Sequence, residues 1–158
     1  LLALRLSRFH KDRSDIVKYA INYGKGLQLV NIIKDSRADY LENRCYIPIE
    51  LFQANQCLVE SFYNTRSSTD ESCLNIYRQL VEMAEAYLLD ARRFIRYIPR
   101  HHLRLRFSCI LPMVLADSTL SQFKRRIGPF IKENRTFKIS KRSVRYAMFK
   151  SLWLSLTI

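Results

Sequence analysis

Residues 71–98 read ESCLNIYRQLVEMAEAYLLDARRFIRYI, and this segment decides the fold class. Its apolar residues recur at steps of three and four along its whole length, which is the spacing of one face of an α-helix. Thr69 or Asp70 is suited to cap the N-terminus of this helix, and Pro99 ends it. The segment therefore predicts a long amphipathic helix rather than a strand.

Helical periodicity continues outward from this segment in both directions. We predict further helices from Asp12 or Ser14 to about Arg37, from Pro48 to Phe52, from Gln56 to Asn64, from His101 to Arg126 with a kink at Pro112, and from Ser140 onward. Strand-like alternation is confined to the short stretch Thr136–Ile139. The sequence therefore predicts an all-α protein, with a Ser/Thr-rich loop at 65–70 and a break at Gly128-Pro129.

Two glycines interrupt the first predicted helix, at Gly24 and Gly26. Glycine inside a helix is less favourable than alanine by ~1 kcal/mol, so the pair needs a structural reason. Close packing of a second helix, or space for a ligand, would supply one.

Length and composition limit the class of protein. A chain of 158 residues with 48% hydrophobic residues is large enough for one folded domain and too apolar to be disordered. It has no uncharged apolar run of the ~18 residues that a spanning helix needs. We expect its four scattered cysteines to be reduced, packed thiols of a cytoplasmic protein. The chain starts at Leu1 without Met, which suggests that it was cut from a longer one.

The charge is strongly divided along the chain. Residues 1–91 contain 11 Lys and Arg against 12 Asp and Glu, whereas residues 92–150 contain 16 against 2. The basic second half would suit an anionic membrane surface, an anionic substrate or nucleic acid, and it would also suit a solvated face with no partner. No helix-turn-helix, zinc-finger or RNA-recognition signature accompanies the charge, so we expect no nucleic-acid partner.

A polar stripe distinguishes the first predicted helix. At ~100° per residue, the side chains of Gln28, Asn31, Asp35 and Asp39 share an arc of roughly 80° on a helix that is otherwise largely apolar. Such a stripe is either a solvated face or a polar site inside a helical bundle. Two carboxylates and an amide oxygen, one turn apart, are hard oxygen ligands of the kind that Mg²⁺ prefers.

Cationic and phenolic groups lie close to this stripe in the sequence. Mg²⁺ commonly bridges carboxylates to phosphate oxygens, so the oxygen ligands of the stripe, Asn31, Asp35 and Asp39 (the ladder), indicate a diphosphate substrate. Lys34 and Arg37 flank the ladder, and Arg44 and Tyr46 follow the helix. Arginine can hold a phosphate with two hydrogen bonds, and the tyrosine hydroxyl can donate one to an anion.

Together these residues form a recognisable pattern. The run LQLVNIIKD at 27–35, then Asp39, then NRCYIP at 43–48, resembles the second aspartate-rich region of the squalene/phytoene synthases, which read LQxxNIIRDxxxD followed by R-x-Y-[LI]-P. A more diffuse similarity continues through 87–99, 107–120 and 138–141. The whole chain, 1–158, resembles the C-terminal part of such an enzyme.

The resemblance implies an all-α helical bundle of the isoprenoid-synthase type, of which this chain would be a partial domain. It implies a transferase that condenses two prenyl diphosphates head to head with Mg²⁺, through a cyclopropyl diphosphate. It also implies roles for particular residues: Asn31, Asp35 and Asp39 as metal ligands, Asp35 and Asp39 as catalytic residues, and Gln28, Lys34, Arg44 and Tyr46 as substrate-binding residues. Lys34 stands where the family usually has arginine, which keeps the charge but loses the bidentate fork.

The sequence departs from the family pattern at one essential point. The first aspartate-rich motif, which faces the second across the cavity, has no counterpart in these 158 residues. We expect this wall to come from an omitted N-terminal segment or a separate polypeptide, or to be missing altogether if the gene has decayed, and we expect the isolated chain to be inactive. A non-catalytic binding or assembly protein on the same fold is the rival hypothesis.

The resemblance also indicates a substrate and a location. The spelling around Pro112 is closer to bacterial squalene-type relatives, which favours farnesyl diphosphate, converted to presqualene diphosphate and squalene, over geranylgeranyl diphosphate, converted to phytoene. NADPH is a second candidate cofactor beside Mg²⁺. We expect a cytoplasmic protein that attaches peripherally to the inner face of a membrane.

Overall fold

A computed structural model of the chain describes residues 13–63, 71–133 and 140–157, and within them all regular structure is helical. The helices are α1 (Arg13–Leu41), α2 (Ile49–Ala54), α3 (Val59–Tyr63), α4 (Glu71–Arg96), α5 (Leu103–Glu133) and α6 (Lys141–Thr157). The predicted all-α class is thus confirmed. None of these helices is long and apolar enough to cross a membrane. The predicted cap at 69–70 and the strand-like stretch 136–139 lie outside the described residues.

Helices α1 and α4 form the central pair of the fold. The apolar stripe that predicts α4 is buried along its length, from Cys73 and Ile76 to Phe94 and Ile95. Close packing against α4 explains why residue 26 is a glycine, because a Cβ placed there would lie 3.0 Å from the Cβ of Tyr87. The missing side chain therefore allows close approach of α1 to α4. Gly24 has no such neighbour within 4 Å.

Helix α5 is longer and less interrupted than its sequence suggests. It runs through Pro112 and through Gly128-Pro129 to Glu133, so the predicted break at Gly128-Pro129 is wrong. Beside Pro112, Tyr23 of α1 donates its hydroxyl hydrogen to the carbonyl oxygen of Cys109 at 2.5 Å. Burial raises the pKa of Tyr23, while a backbone hydrogen bond with Met113 opposes the shift. The hydroxyl thus joins α1 to the turn of α5 that precedes Pro112.

Helix α6 packs on α5 through small side chains. Ala147, Ser151 and Ser155 are the residues of α6 that are buried. The predicted helix start at Ser140 is confirmed, since its hydroxyl oxygen accepts a hydrogen bond from the backbone N–H of Ser143 at 3.1 Å.

Arg106 is a buried cation that fastens three segments together. It is 1% exposed, and its guanidinium donates to the carbonyl oxygens of Ile98 at 2.6 Å and Ser155 at 3.2 Å. Burial, with a smaller contribution from Arg100, lowers its pKa. The two acceptors lie beyond the end of α4 and in the last turn of α6, so Arg106 fixes both helix ends to α5.

Two of the four cysteines form a disulfide. Cys57 and Cys73 are bonded across a sequence separation of 16 residues, which ties the turn before α3 to the first turn of α4. Cys45 and Cys109 are free. The expectation of four reduced thiols is therefore wrong for the first pair, because local sequence spacing does not show which cysteines meet in space.

Candidate functional site

The polar stripe lies on the side of α1 that faces away from α4. Gln28 and Asn31 are exposed, the side chain of Asp35 is 46% exposed and that of Asp39 is 19% exposed. Residues on the opposite side of the helix, such as Val30 and Ile33, are buried. The helical geometry predicted for the stripe is thus present, and among the described residues its exposure falls from Gln28 and Asn31 to Asp39.

Each aspartate of the stripe has a neighbouring cation. The Nζ of Lys34 lies 3.2 Å from Oδ2 of Asp35, and Nη2 of Arg44 lies 3.5 Å from Oδ1 of Asp39. Arg44 also contacts the carboxylate of Glu42. Two of the predicted substrate-binding cations are therefore beside the two predicted metal-binding carboxylates, although at this exposure such pairs contribute little stability.

A tight turn brings Arg44 back to the helix end. Asn43 has φ = 58°, in the left-handed region that asparagine tolerates, and the backbone N–H of Arg44 donates to the carbonyl oxygen of Asp39 at 2.8 Å. Ile47 is buried and anchors the chain after the turn, whereas Tyr46 is 55% exposed. The turn brings Arg44 to the ladder, and Tyr46 makes no described contact with it.

The opposite face of the same helix carries a buried polar network that sequence reasoning missed. Nη2 of Arg37 donates to the carbonyl oxygen of Tyr63 at 2.9 Å, and the hydroxyl of Ser36 lies 3.0 Å from that of Tyr77. Arg37 therefore points away from the aspartates instead of flanking them. A helical wheel contains the signal, since Arg37 falls about 180° from Gln28 at ~100° per residue.

Burial of this network shifts its phenols toward the neutral form. Desolvation raises the pKa of Tyr77 to about 12, partly opposed by its hydrogen bond with Ser36. Desolvation also raises the pKa of Tyr63, assisted by its contact with the Cys45 thiol. The ring of Tyr63 stacks on Tyr40 with centroids 4.0 Å apart. The network holds the last turns of α1, which carry Asp35 and Asp39, in a fixed position.

The donor set of the stripe suits Mg²⁺ in chemical type. Asn31, Asp35 and Asp39 offer oxygen atoms, and Asp35 remains accessible to a hydrated ion. Successive members stand one helical turn apart, ~5–6 Å, so one helix alone supplies few ligands to any single ion. Within the described ranges, no group of three His, Cys, Asp or Glu side chains is placed to hold a metal. The residues fit Mg²⁺ that is completed by phosphate oxygens, water or a facing wall.

Clefts of the described structure lie elsewhere. One, of about 580 Å³, and a second, of about 320 Å³, lie between α4, α5 and α6 and share Arg92, Asp117 and Lys150. Arg92 is paired with Asp117 at 2.7 Å. No predicted site residue lines either cleft, so the stripe is a feature of an open helix surface.

Comparison with known proteins supports the family assignment. The family model described as squalene/phytoene synthase matches residues 1–143. No curated protein and no solved structure matches the chain. The family match covers the stripe, the turn at Asn43 and helices α1 to α5. The chain therefore belongs to the squalene/phytoene synthase family.

Proposed function

We propose that the chain provides the second metal- and diphosphate-binding wall of a head-to-head prenyl synthase that uses farnesyl diphosphate. The family condenses prenyl diphosphates head to head. The observation that carries the finer proposal is the ladder of Asn31, Asp35 and Asp39 on one open face of α1, with a cation beside each aspartate. We include Mg²⁺ in the proposal because the ladder is made of hard oxygen donors.

The ladder residues would act on the leaving diphosphate. Asn31, Asp35 and Asp39 would each give an oxygen ligand to Mg²⁺ ions bound along the helix, and these ions would supply positive charge beside the leaving diphosphate. Lys34 and Arg44 are positioned to bind the same anion, because each already lies beside one of the aspartates. Gln28 extends the stripe one turn and can donate an amide hydrogen bond to phosphate oxygen.

Arg44 would have a second role before substrate arrives. Its guanidinium contacts Asp39 and Glu42, so it neutralises carboxylates that would otherwise repel each other. When a diphosphate binds, the guanidinium of Arg44 would pair with this multiply charged anion instead of with Asp39. The carboxylate of Asp39 would then be available to the metal ion.

An assay of product formation tests the proposal. We would incubate radiolabelled farnesyl diphosphate with Mg²⁺, with and without NADPH, using the 158-residue chain and the longest natural reading frame that contains it. We expect hydrocarbon or presqualene diphosphate only from a protein that also supplies a first aspartate-rich motif. Product from geranylgeranyl diphosphate alone would replace the squalene assignment with phytoene synthesis. Failure of every form with both substrates would refute the catalytic proposal.

A non-catalytic binding or assembly role is the second candidate. This role would not require a first aspartate-rich motif, which the 158 residues do not contain. Calorimetric titration of the longest form with farnesyl diphosphate separates the two candidates. Mg²⁺-dependent binding supports the enzyme, whereas absence of binding, together with a stable protein complex in pull-downs, supports the assembly role.

A further inference from the structure

The large apolar side chains of helix α6 are exposed, whereas a helix of the protein core buries such side chains. Of the fifteen exposed large hydrophobic residues in the described part of the chain, seven lie in this helix of 17 residues. They are Val144, Tyr146, Met148, Phe149, Leu152, Trp153 and Leu156. The buried side carries Ala147, Ser151 and Ser155 instead. The apolar face of α6 is therefore directed away from the rest of the described protein.

Cations share this outward face. At ~100° per residue, Arg142 and Arg145 fall within the same arc of roughly 100° as Phe149, Trp153 and Tyr146. All five residues are exposed. The sequence has no Asp or Glu after Glu133, so α6 itself carries no acidic residue. An aromatic face with arginines in it, on a helix unable to span, is the composition of a helix that lies in a membrane surface.

We propose that α6 docks this protein onto an anionic phospholipid surface, lying in the plane of the headgroups with Phe149 and Trp153 inserted. The aromatic side chains supply apolar burial, and Arg142 and Arg145 pair with lipid phosphates. An apolar groove of about 320 Å³, lined by Phe107, Met148, Phe149, Leu152 and the stem of Arg145, offers space for part of an acyl chain.

Charge complementarity favours lipid over a second copy of the chain. A parallel two-fold contact between two α6 helices would place Arg142 and Arg145 of one copy against those of the other, and an antiparallel contact would still bring together two chains of net charge +13. Like charges opposed across an interface are unfavourable. A negatively charged lipid surface instead offers opposite charge to Arg142 and Arg145, on a protein whose formal net charge is +13.

Trp153 makes the proposal directly measurable. It is the single tryptophan in the chain, it lies on the proposed membrane face, and it is 63% exposed. Its fluorescence therefore reports on α6 alone. We would titrate the 158-residue chain with vesicles of phosphatidylcholine, and with vesicles of phosphatidylcholine and phosphatidylglycerol. We expect a blue shift of emission only with the anionic vesicles, reversed by added salt.

Matched variants separate the apolar from the electrostatic contribution. Phe149→Gln should weaken vesicle binding at least ~10-fold, since a large apolar side chain no longer inserts. Its control, Leu58→Gln, changes an equally exposed apolar residue, at 73% against 75%, outside α6 and should leave binding unchanged. Arg142→Gln with Arg145→Gln should weaken binding ~30-fold, from roughly 5-fold per charge. Lys18→Gln with Lys25→Gln removes the same charge from α1 and should have little effect.

Each other outcome overturns the proposal. Equal blue shifts with neutral and anionic vesicles would refute the proposed contacts between the arginines and lipid phosphates. Absence of a shift with both kinds of vesicle would refute membrane docking. The emission maximum could instead be blue-shifted without vesicles and shift further as the protein concentration rises. If the measured mass were also that of a dimer, this face would be the contact with a second copy of the chain. Circular dichroism of every variant verifies that the helices remain.

Discussion

Gly26 of α1 and Tyr87 of α4 are in direct backbone-to-side-chain contact: a Cβ placed on Gly26 would stand 3.0 Å from the Cβ of Tyr87 and 3.3 Å from Cδ2 of Leu88. Both contacts are tighter than ordinary van der Waals separation, and the Tyr87 atom is attached directly to the backbone of α4. The contact sets the distance between the two central helices. It also explains why a residue of poor helix propensity lies one turn before Val30, in the middle of α1.

The first prediction therefore compares two glycines of one helix. Gly26→Ala should lower the free energy of unfolding by ~1–3 kcal/mol, because the methyl group overpacks the α1–α4 contact. Gly24→Ala, which meets nothing within 4 Å, should raise it by up to ~1 kcal/mol through better helix propensity. Urea unfolding followed by circular dichroism measures both. Equal stabilities of the two variants would contradict the close approach.

The second prediction concerns the ladder. In a form of the protein that turns over, Asp35→Asn should reduce the rate at least ~100-fold, because an amide removes the charge that holds Mg²⁺ beside the diphosphate. Asp15→Asn is the matched control, since Asp15 is an exposed aspartate in the first turn of the same helix. Initial rates at saturating substrate measure the effect. Near-normal turnover of Asp35→Asn would remove this residue from the metal site.

The third prediction follows from the buried phenol of Tyr77. Its pKa is raised from the usual 10 to about 12, so the folded state disfavours the phenolate. Its contribution to stability is constant below about pH 10 and is lost as the pH rises toward 12, at ~1.4 kcal/mol per pH unit. We expect Tyr77→Phe to weaken this alkaline dependence by ~2–3 kcal/mol between pH 10 and 12.

Urea unfolding at several alkaline pH values tests the Tyr77 prediction. Tyr146→Phe is the control, because Tyr146 is 66% exposed and its replacement should leave the pH dependence unchanged. At neutral pH, Tyr77→Phe should cost ~1 kcal/mol for the lost hydrogen bond with Ser36. An alkaline profile identical to that of the unmodified protein would show that Tyr77 titrates as it does in the unfolded chain.

The fourth prediction concerns the disulfide. Reduction of the Cys57–Cys73 bond should lower the free energy of unfolding by ~3 kcal/mol, the amount expected for a closed loop of about 16 residues. A protein carrying Cys57→Ser and Cys73→Ser should be insensitive to reductant. Alkylation of the denatured, unreduced protein should label two thiols, those of Cys45 and Cys109. Labelling of four would show that the bond does not form.

The helices were predictable where apolar periodicity and local signals agree. The stripe of residues 71–98 predicts α4, which ends at Arg96, within two residues of the prediction. The break predicted at Gly128-Pro129 is wrong, because the helix continues to Glu133 although the intrinsic propensities of glycine and proline favour a break. Propensity is a weak preference that tertiary packing can override.

The site was predictable in sequence order and less so in orientation. The arc shared by Gln28, Asn31, Asp35 and Asp39 follows from helical geometry alone, and α1 spans it without interruption. The prediction that Arg37 flanks the aspartates is wrong, because residues that are close in sequence can point to opposite sides of a helix. The pairing of Cys57 with Cys73 and the burial of Arg106 depend on contacts between distant segments. Single-sequence periodicity carries no information about those contacts.

Among the described side chains of α6, those that are fully buried, Ala147, Ser151 and Ser155, are small, and Leu154 is partly buried against the core. Local opening free energy follows the apolar area and hydrogen bonds that hold an element. The backbone amides of α6 should therefore exchange with deuterium well before those of α4, which buries a full apolar stripe. At each end of α6 a side chain of α5 holds it by a hydrogen bond of 3.2 Å: Gln122 donates to the hydroxyl oxygen of Ser143, and Arg106 donates to the carbonyl oxygen of Ser155.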